Sequence, residues 1–305
     1  MFVHNAILIK MLYNISKATK NLKVATTAIM CDKDPNKNVQ KMVNLIEEIK
    51  KNHPDVELIL FGETIHGWFF NFKKTAEYHH EIAETVPGKT TDIMSELAAK
   101  NNVYISFGIN EKEKRDFYNS QVLLGPAGNI IAVHRKRAMR ESFFTPGEKP
   151  VTITQIKDIK TGIVICYDVQ SKEVNKALKQ NKLELIIHSL ADDEDPKWFG
   201  IGYLARSYDA WLVNANRFGE EGGHYWNGWI TITNPLGKIC ISGMEKEQYL
   251  YYEIRIVEQN SIIKIIRKIY VRLGRIFHVI KNLDLALSIV LDRFKVKKKK
   301  QETQI

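Results

Sequence analysis

Gly162-Ile163-Val164-Ile165-Cys166-Tyr167-Asp168 reads as a short apolar strand that ends on a cysteine, with an acid two residues further on. A brief run of β-branched residues is the mark of a strand buried in a layered domain. Outward from it toward the C-terminus, Lys172 to Gln180 reads as a helix, Leu183 to His188 as a strand, Pro196 to Asp209 as a helix and Trp211 to Ala215 as a strand. Toward the N-terminus the same alternation holds. Leu22 to Met30 is a strand, Asp34-Pro35 starts an amphipathic helix that runs through Lys51, and Val56 to Phe61 is a second strand. Val86-Pro87-Gly88 marks a turn before the helical Thr91 to Lys100, and Val103 to Ile109 is again a strand. Two hairpins interrupt the pattern: Gln121 to Leu124 with Ile130 to His134 about Gly125-Pro126-Ala127-Gly128, and Trp229 to Thr233 with Lys238 to Ser242 about Asn234-Pro235-Leu236-Gly237. Alternating strands and helices with inserted hairpins imply an α/β fold of mixed sheets, covered by helices on their outer faces.

The chain has 305 residues, 44% of them hydrophobic, enough for one large layered domain. The expected organisation is an extension over 1–20, a domain over 21–258 and a tail over 259–305. The formal charge of +10 is local: Asn260 to Lys300 holds twelve Lys/Arg against two acids, Asp284 and Asp292, and the rest is close to neutral. The main surface therefore carries no device for gripping a polyanion, and nucleic acid is not an expected partner. Three widely spaced cysteines, Cys31, Cys166 and Cys240, form neither a disulfide framework nor a metal-ligand spacing, which fits a reducing, cytoplasmic setting. His66, His79 and His80 have no partner cluster of the three or four ligands that zinc needs, and no glycine-rich phosphate loop is present, so neither a metal nor a cofactor is expected. Met1 to Tyr13 is apolar but is broken by Lys10 and lacks a cleavage site. It reads as an extension, or as residues upstream of a start at Met11. No apolar run reaches the roughly 18 residues of a spanning helix.

The tail is patterned. Ile262, Ile266, Ile269, Leu273, Ile276, Ile280 and Leu283 recur at steps of three and four, with Lys264, Arg267, Lys268, Arg272 and Arg275 on the other side, giving a basic amphipathic helix. Three readings compete: packing on the protein's own body or across a dimer, lying on an anionic membrane surface through residues 262–300, and, least favoured, a nucleic-acid contact. Sedimentation with anionic vesicles, before and after deletion from Ser261, tests the membrane reading.

Chemistry enters at three strand ends. Glu63 follows Leu58-Ile59-Leu60-Phe61-Gly62, Lys136 follows Ile130 to Arg135, and Cys166 follows Ile165. Polar residues at strand ends become available to a ligand, although each alone is also compatible with a solvated loop or a packed thiol.

In order, spacing and flanking residues these elements resemble the nitrilase superfamily of carbon-nitrogen hydrolases over about Asn21 to Glu253. The motifs are the glutamate after the second strand, Arg135-Lys136-Arg137 followed by Phe144-Thr145-Pro146-Gly147, and Cys166-Tyr167-Asp168. Ala205-Arg206, Asn214-Ala215-Asn216-Arg217-Phe218-Gly219 and Asn234-Pro235-Leu236-Gly237 extend the likeness. The resemblance implies a four-layer α-β-β-α sandwich, paired as a homodimer, that hydrolyses a small amide or N-carbamoyl compound through a cysteine thioester. Cys-Tyr-Asp is more similar to amidase-type members than to true nitrilases. It also implies Glu63 as acid/base, Lys136 as the cationic partner, Cys166 as nucleophile and Glu141 as a second glutamate beside the lysine. The backbone N–H of Tyr167 would be an oxyanion donor. His188 and Ser189 would stand where the family's loop borders the substrate.

The chemistry explains those residue types. A thiol with an ordinary pKa near about 8.5 is mostly inert at neutral pH unless a cation or base favours the thiolate, which Lys136 and Glu63 would supply. Acyl transfer to an amine would use the same three groups, and a catalytically idle membrane-associated scaffold would keep the fold. The chain departs from the family in Val169-Gln170-Ser171-Lys172-Glu173, and in His188-Ser189-Leu190 followed by Asp192-Asp193-Glu194-Asp195. That acidic run either rims the pocket and favours amine-bearing substrates or is a solvated loop. Trp68, Phe69 and Phe70 either line the pocket or belong to the core.

Overall fold

The computed structural model describes residues 18–69, 75–194 and 200–257. Ala18–Ile256 is one compact unit. The N-terminal extension through residue 17, Phe70, the start of the predicted helix at Pro196 and the basic tail lie outside the described residues.

The elements run β1 (Ala18–Ile29), α1 (Pro35–Asn52), β2 (Leu58–Leu60), α2 (Thr75–Glu81), α3 (Lys89–Asn101), β3 (Tyr104–Glu113), β4 (Asp116–Leu124), β5 (Ile130–Arg135), β6 (Thr152–Ile156) and β7 (Ile159–Ile165). A short 3₁₀ turn (Cys166–Gln170) leads to α4 (Lys172–Gln180), β8 (Leu185–Ser189), α5 (Ile201–Tyr208), β9 (Trp211–Glu221), β10 (His224–Asn227), β11 (Ile230–Thr233), β12 (Ile239–Gly243) and β13 (Gln248–Val257). One half has the order β5-β4-β3-β2-β1, with β13 on β1. The other runs β9-β8-β7-β6, with β11 and then β12 on β9. Among the described residues, strand pairing joins the halves where Ala28 and Ile29 of β1 meet Asn216 and Arg217 of β9.

Strand alternation builds the layers. In β2, β7, β8 and β9 one set of side chains, including Leu58, Leu60, Ile163, Leu185, Ile187 and Val213, meets in a single core between the two halves. The alternate residues face outward. Ile59, Ile105 and Phe107 pack beneath Met42, Ile46 and Ile49 of α1 and Met94 of α3. Val164, Ile186 and Leu212 pack beneath Val174 and Leu178 of α4 and Ile201 and Ala205 of α5. The result is the α-β-β-α sandwich.

Local chemistry sets the helix starts. Asp34 accepts the N–H of Asn36 with Pro35 in the first turn of α1, and Ser171 caps α4. Both Pro/Gly hairpins form as the turn residues predict. Strands β6, β10 and β13, and helix α2, are additional to the elements read from the sequence.

Candidate active site

Three segments that end strands converge at one rim of the sandwich. Glu63 follows β2 in a loop beneath which β3 passes closely: a side chain at Gly108 would collide with the backbone of Gly62 and Thr64. Lys136 follows β5, its N–H donating to the Asn119 carbonyl at 2.8 Å while its own carbonyl accepts from Gly147 at 2.8 Å. A side chain at Gly147 would strike the Arg135 carbonyl, which explains glycine at the end of Phe144-Thr145-Pro146-Gly147. Cys166 opens the 3₁₀ turn after β7 with a φ of 39°, a left-handed conformation unusual for a residue with a side chain.

Glu63 and Lys136 are both buried and directly paired: Lys136 Nζ donates to Glu63 Oε1 at 2.8 Å. Asn119 Nδ2 donates to the same oxygen at 2.6 Å, and the N–H of Ala191 to Oε2 at 3.0 Å. Glu141 Oε2 lies 3.5 Å from Lys136 Nζ. Cys166, half-buried, shares with Lys136 and Glu141 a cavity of about 360 Å³. Phe69 and Trp226 supply its aromatic side, their rings edge to face at 5.8 Å. Asp192, Asp193 and Glu194 also line it, as do Tyr167 and Arg140, whose guanidinium lies over the Tyr167 ring at 4.2 Å.

The carbon-nitrogen hydrolase family model matches residues 23–262. A nitrilase of Pyrococcus abyssi is 31% identical over 252 residues, covering 78% of this chain and 94% of that one. This chain belongs to the carbon-nitrogen hydrolase family. As a family member it is a hydrolase of carbon-nitrogen bonds other than peptide bonds, of the amidase and nitrilase kind. An N-carbamoylputrescine amidase of Solanum lycopersicum is 25% identical over 263 residues, covering 76% of this chain and 85% of its own. In fold, the chain is similar to an amidase from Nesterenkonia sp. AN1, a mutant of which carries the acetamide moiety of fluoroacetamide covalently added at its active-site cysteine. The TM-score is 0.67 at 16% identity, over 79% of this chain and 93% of that one.

Burial governs the electrostatics of this carbon-nitrogen hydrolase. It pushes the Glu63 carboxyl up, opposed by the Lys136 ammonium and by the hydrogen bonds from Lys136 and Asn119. Burial works against the Lys136 charge, but Glu63, Cys166 and Glu141 together outweigh it and hold the ammonium well above the usual lysine range. The Cys166 thiol is pushed well up by burial and the Glu63 charge, more than Lys136 pulls it down. The sulfur is therefore held toward the thiol form beside the Glu63–Lys136 pair. The positive field of Lys136 lowers the thiol's pKa but is outweighed, so a base is needed to take its proton, as expected of Glu63.

Three residues expected at the substrate stand elsewhere. Trp68 directs its indole N–H to the Cys31 carbonyl at 2.9 Å and packs against the helix-covered core, while Phe69, the next residue, faces the cavity. His188 is buried in β8, where Nε2 donates to the Cys166 carbonyl at 3.1 Å; burial pushes its pKa down to about 4, so it is neutral. Ser189 is buried opposite Ile165 in the β7–β8 register. Neither lines the cavity, because both sit within a central strand and not on the loop that follows it.

Several residues with no role assigned from the sequence prove to be structural partners of the site. Asn119 joins Glu63 to the Lys136 loop. Arg217, fully buried in β9, donates to the carbonyls of Glu63, Thr64 and Gly67 and pairs with Glu221. Glu221 Oε2 in turn accepts the N–H of Phe69 at 2.9 Å. Arg217 lay in a motif that could have flagged it; Asn119 had no such signal. Among the described residues no cluster of three or more His, Cys, Asp or Glu could hold a metal, and no helix is long and apolar enough to cross a membrane.

Proposed function

We propose that this chain hydrolyses a small amide or N-carbamoyl compound with an amine-bearing far end, using Cys166, Glu63 and Lys136. The observation that carries the proposal is that a thiol and a buried ammonium share one cavity, the ammonium being paired with the buried Glu63 carboxyl behind it, in a carbon-nitrogen hydrolase.

Glu63, a stronger base than a surface glutamate, takes the thiol proton as Cys166 sulfur attacks the substrate's carbonyl carbon. The oxyanion is stabilised by Lys136 Nζ, with the N–H of Tyr167 as second donor. Glu63 returns the proton to the departing ammonia or amine, leaving a thioester on Cys166. It then takes a proton from water, whose oxygen attacks the thioester carbonyl; the acid leaves and the thiol is restored. Glu141, beside Lys136, holds the ammonium against the opposing pull of Glu63.

Two features support an amine-bearing substrate: four carboxylates, Glu141, Asp192, Asp193 and Glu194, line the cavity, and Asp192 among them is pushed up to about 6, chiefly by burial and also by Glu194 and Asp193. A bound ammonium would offset that unfavourable environment.

An ammonia-release screen across amides, carbamoyl compounds and nitriles, each with neutral and amine-tailed forms, tests the reading. Turnover should appear with amides or carbamoyl compounds, fall by on the order of 10⁴-fold or more in Cys166→Ala, and leave an acyl adduct on the wild type by mass spectrometry. Full activity in the alanine variant rejects the mechanism. Equal turnover of neutral and amine-tailed forms rejects the substrate class.

A further inference from the structure

Asp168 is fully buried and uses both carboxylate oxygens on two segments that are far apart in sequence. Oδ2 accepts from the Ile165 N–H at 2.9 Å and from His134 Nε2 at 2.9 Å. Oδ1 accepts from the Arg137 N–H at 2.9 Å and the Ala138 N–H at 2.7 Å. Ile165 immediately precedes Cys166. Arg137 and Ala138 immediately follow Lys136, and His134 lies two residues before it. One side chain thus brackets both the sulfur-bearing turn and the ammonium-bearing loop.

We propose that Asp168 is a positioning residue that sets the separation of the Lys136 ammonium from the Cys166 sulfur. The proposal rests on the roles given above to those two residues. His134, also buried, completes the clamp, its Nδ1 lying 3.1 Å from Thr152 Oγ1 of β6. The turn needs such a hold, because Cys166 has a φ of 39° and would relax if its flanking N–H were released. His188 secures the other side through the Cys166 carbonyl.

A carboxylate suits the role better than an amide. With three backbone N–H groups and one imidazole N–H pointing at it, all four contacts need acceptors, whereas asparagine would set an NH₂ against donors on one side. A displacement of about 1 Å at a reacting group is enough to cost on the order of 10²-fold in rate.

The test follows the pH dependence of iodoacetamide alkylation at Cys166, read by peptide mass, in Asp168→Asn. Removing a nearby negative charge by itself would make the thiol easier to ionise. Loss of the ammonium's position would make it harder, and the proposal expects the second: alkylation at pH 7.5 slows by about tenfold, one pH unit of midpoint shift. A buried-core control, Val174→Ala, should lower the melting temperature without moving the midpoint. His134→Leu should shift the midpoint in the same direction as Asp168→Asn, and His134→Gln, which can still donate, should restore most of it. An unchanged or lowered midpoint in Asp168→Asn overturns the proposal. If that variant does not fold, equal behaviour of His134→Leu and His134→Gln overturns it. Alkylation is read without turnover, so a failure here is distinct from a failure of the catalytic reading, which Cys166→Ala decides in the ammonia assay.

Discussion

Charge at single side chains has consequences that can be measured. Below about pH 6 Asp192 is protonated and attracts no ammonium; above it the carboxylate forms. The preference for an amine-tailed over a neutral amide, as a ratio of kcat/KM, should rise as pH passes from 5 to 7. Asp192→Asn should flatten that rise, and a ratio independent of pH in the wild type would count against the acidic lining as a specificity element. Lys136 and Glu63 form a buried pair whose attraction offsets a large desolvation cost. Lys136→Met leaves the carboxylate without its cation and should lower unfolding free energy by about 3–5 kcal/mol in urea titration. A loss below about 1 kcal/mol would mean that solvent reaches Glu63. The residue types at Glu63, Lys136 and Cys166 were readable from strand ends and flanking motifs. Which neighbouring aromatic faces the cavity was not, because Trp68 and Phe69 differ by one position and the loop's path decides between them.

Between elements, the connection of β9 to the loop after β2 centres on one guanidinium. Arg217 satisfies three loop carbonyls and Glu221, which holds Phe69 in turn. Arg217→Leu should destabilise by about 3–5 kcal/mol, since Glu221 is left buried without its cation and the carbonyls lose their guanidinium donor. Adding Glu221→Leu should recover part of that loss, because the unpaired carboxylate goes. A double variant no more stable than the single one would place the cost in the loop carbonyls alone. The strands that carry these contacts were largely legible: apolar runs such as Ile163 to Ile165 and Leu185 to Ile187 are buried on both faces and need no alternation to be recognised. Strands β6 and β13 were not, since their side chains are only partly buried and mix polar with apolar residues. Helix α2 is short and holds its place through His79 and His80, which contact the carbonyls of Phe69 and Phe143. No helical period announces it.

At the scale of the molecule, pH acts on stability through buried imidazoles. Burial pushes His79 down to about 4, so it stays neutral in the fold while the unfolded chain takes up a proton below about 6.5. The unfolded state then binds more protons, and this residue's contribution falls as pH drops from about 6.5 toward 4. Asp192 and Glu63, raised in the fold, act in the opposite sense in acid, so the comparison of variant with wild type is the informative one. His79→Gln should gain on the wild type by about 1–2 kcal/mol between pH 6.5 and 5, as measured by urea unfolding at each pH. A difference that does not change with pH would show that His79 titrates normally.

Most of the order of strands and helices, the two hairpins and the α/β class were determined by the sequence itself, because hydrophobic period and turn chemistry are local properties of the chain, and the candidate trio was legible there as strand-end residues in motifs resembling those of the nitrilase superfamily. The tertiary structure alone decided that Asp168 spans two loops, that Asn119 meets Glu63, that His188 lies beneath Cys166 and that the carboxylates of Asp192 to Glu194 line the cavity. The physical reason is distance along the chain. A hydrogen bond or a burial penalty between residues 22 to 56 positions apart leaves no periodic trace in either segment, and its sign and strength depend on water being excluded where the two halves of the sandwich meet.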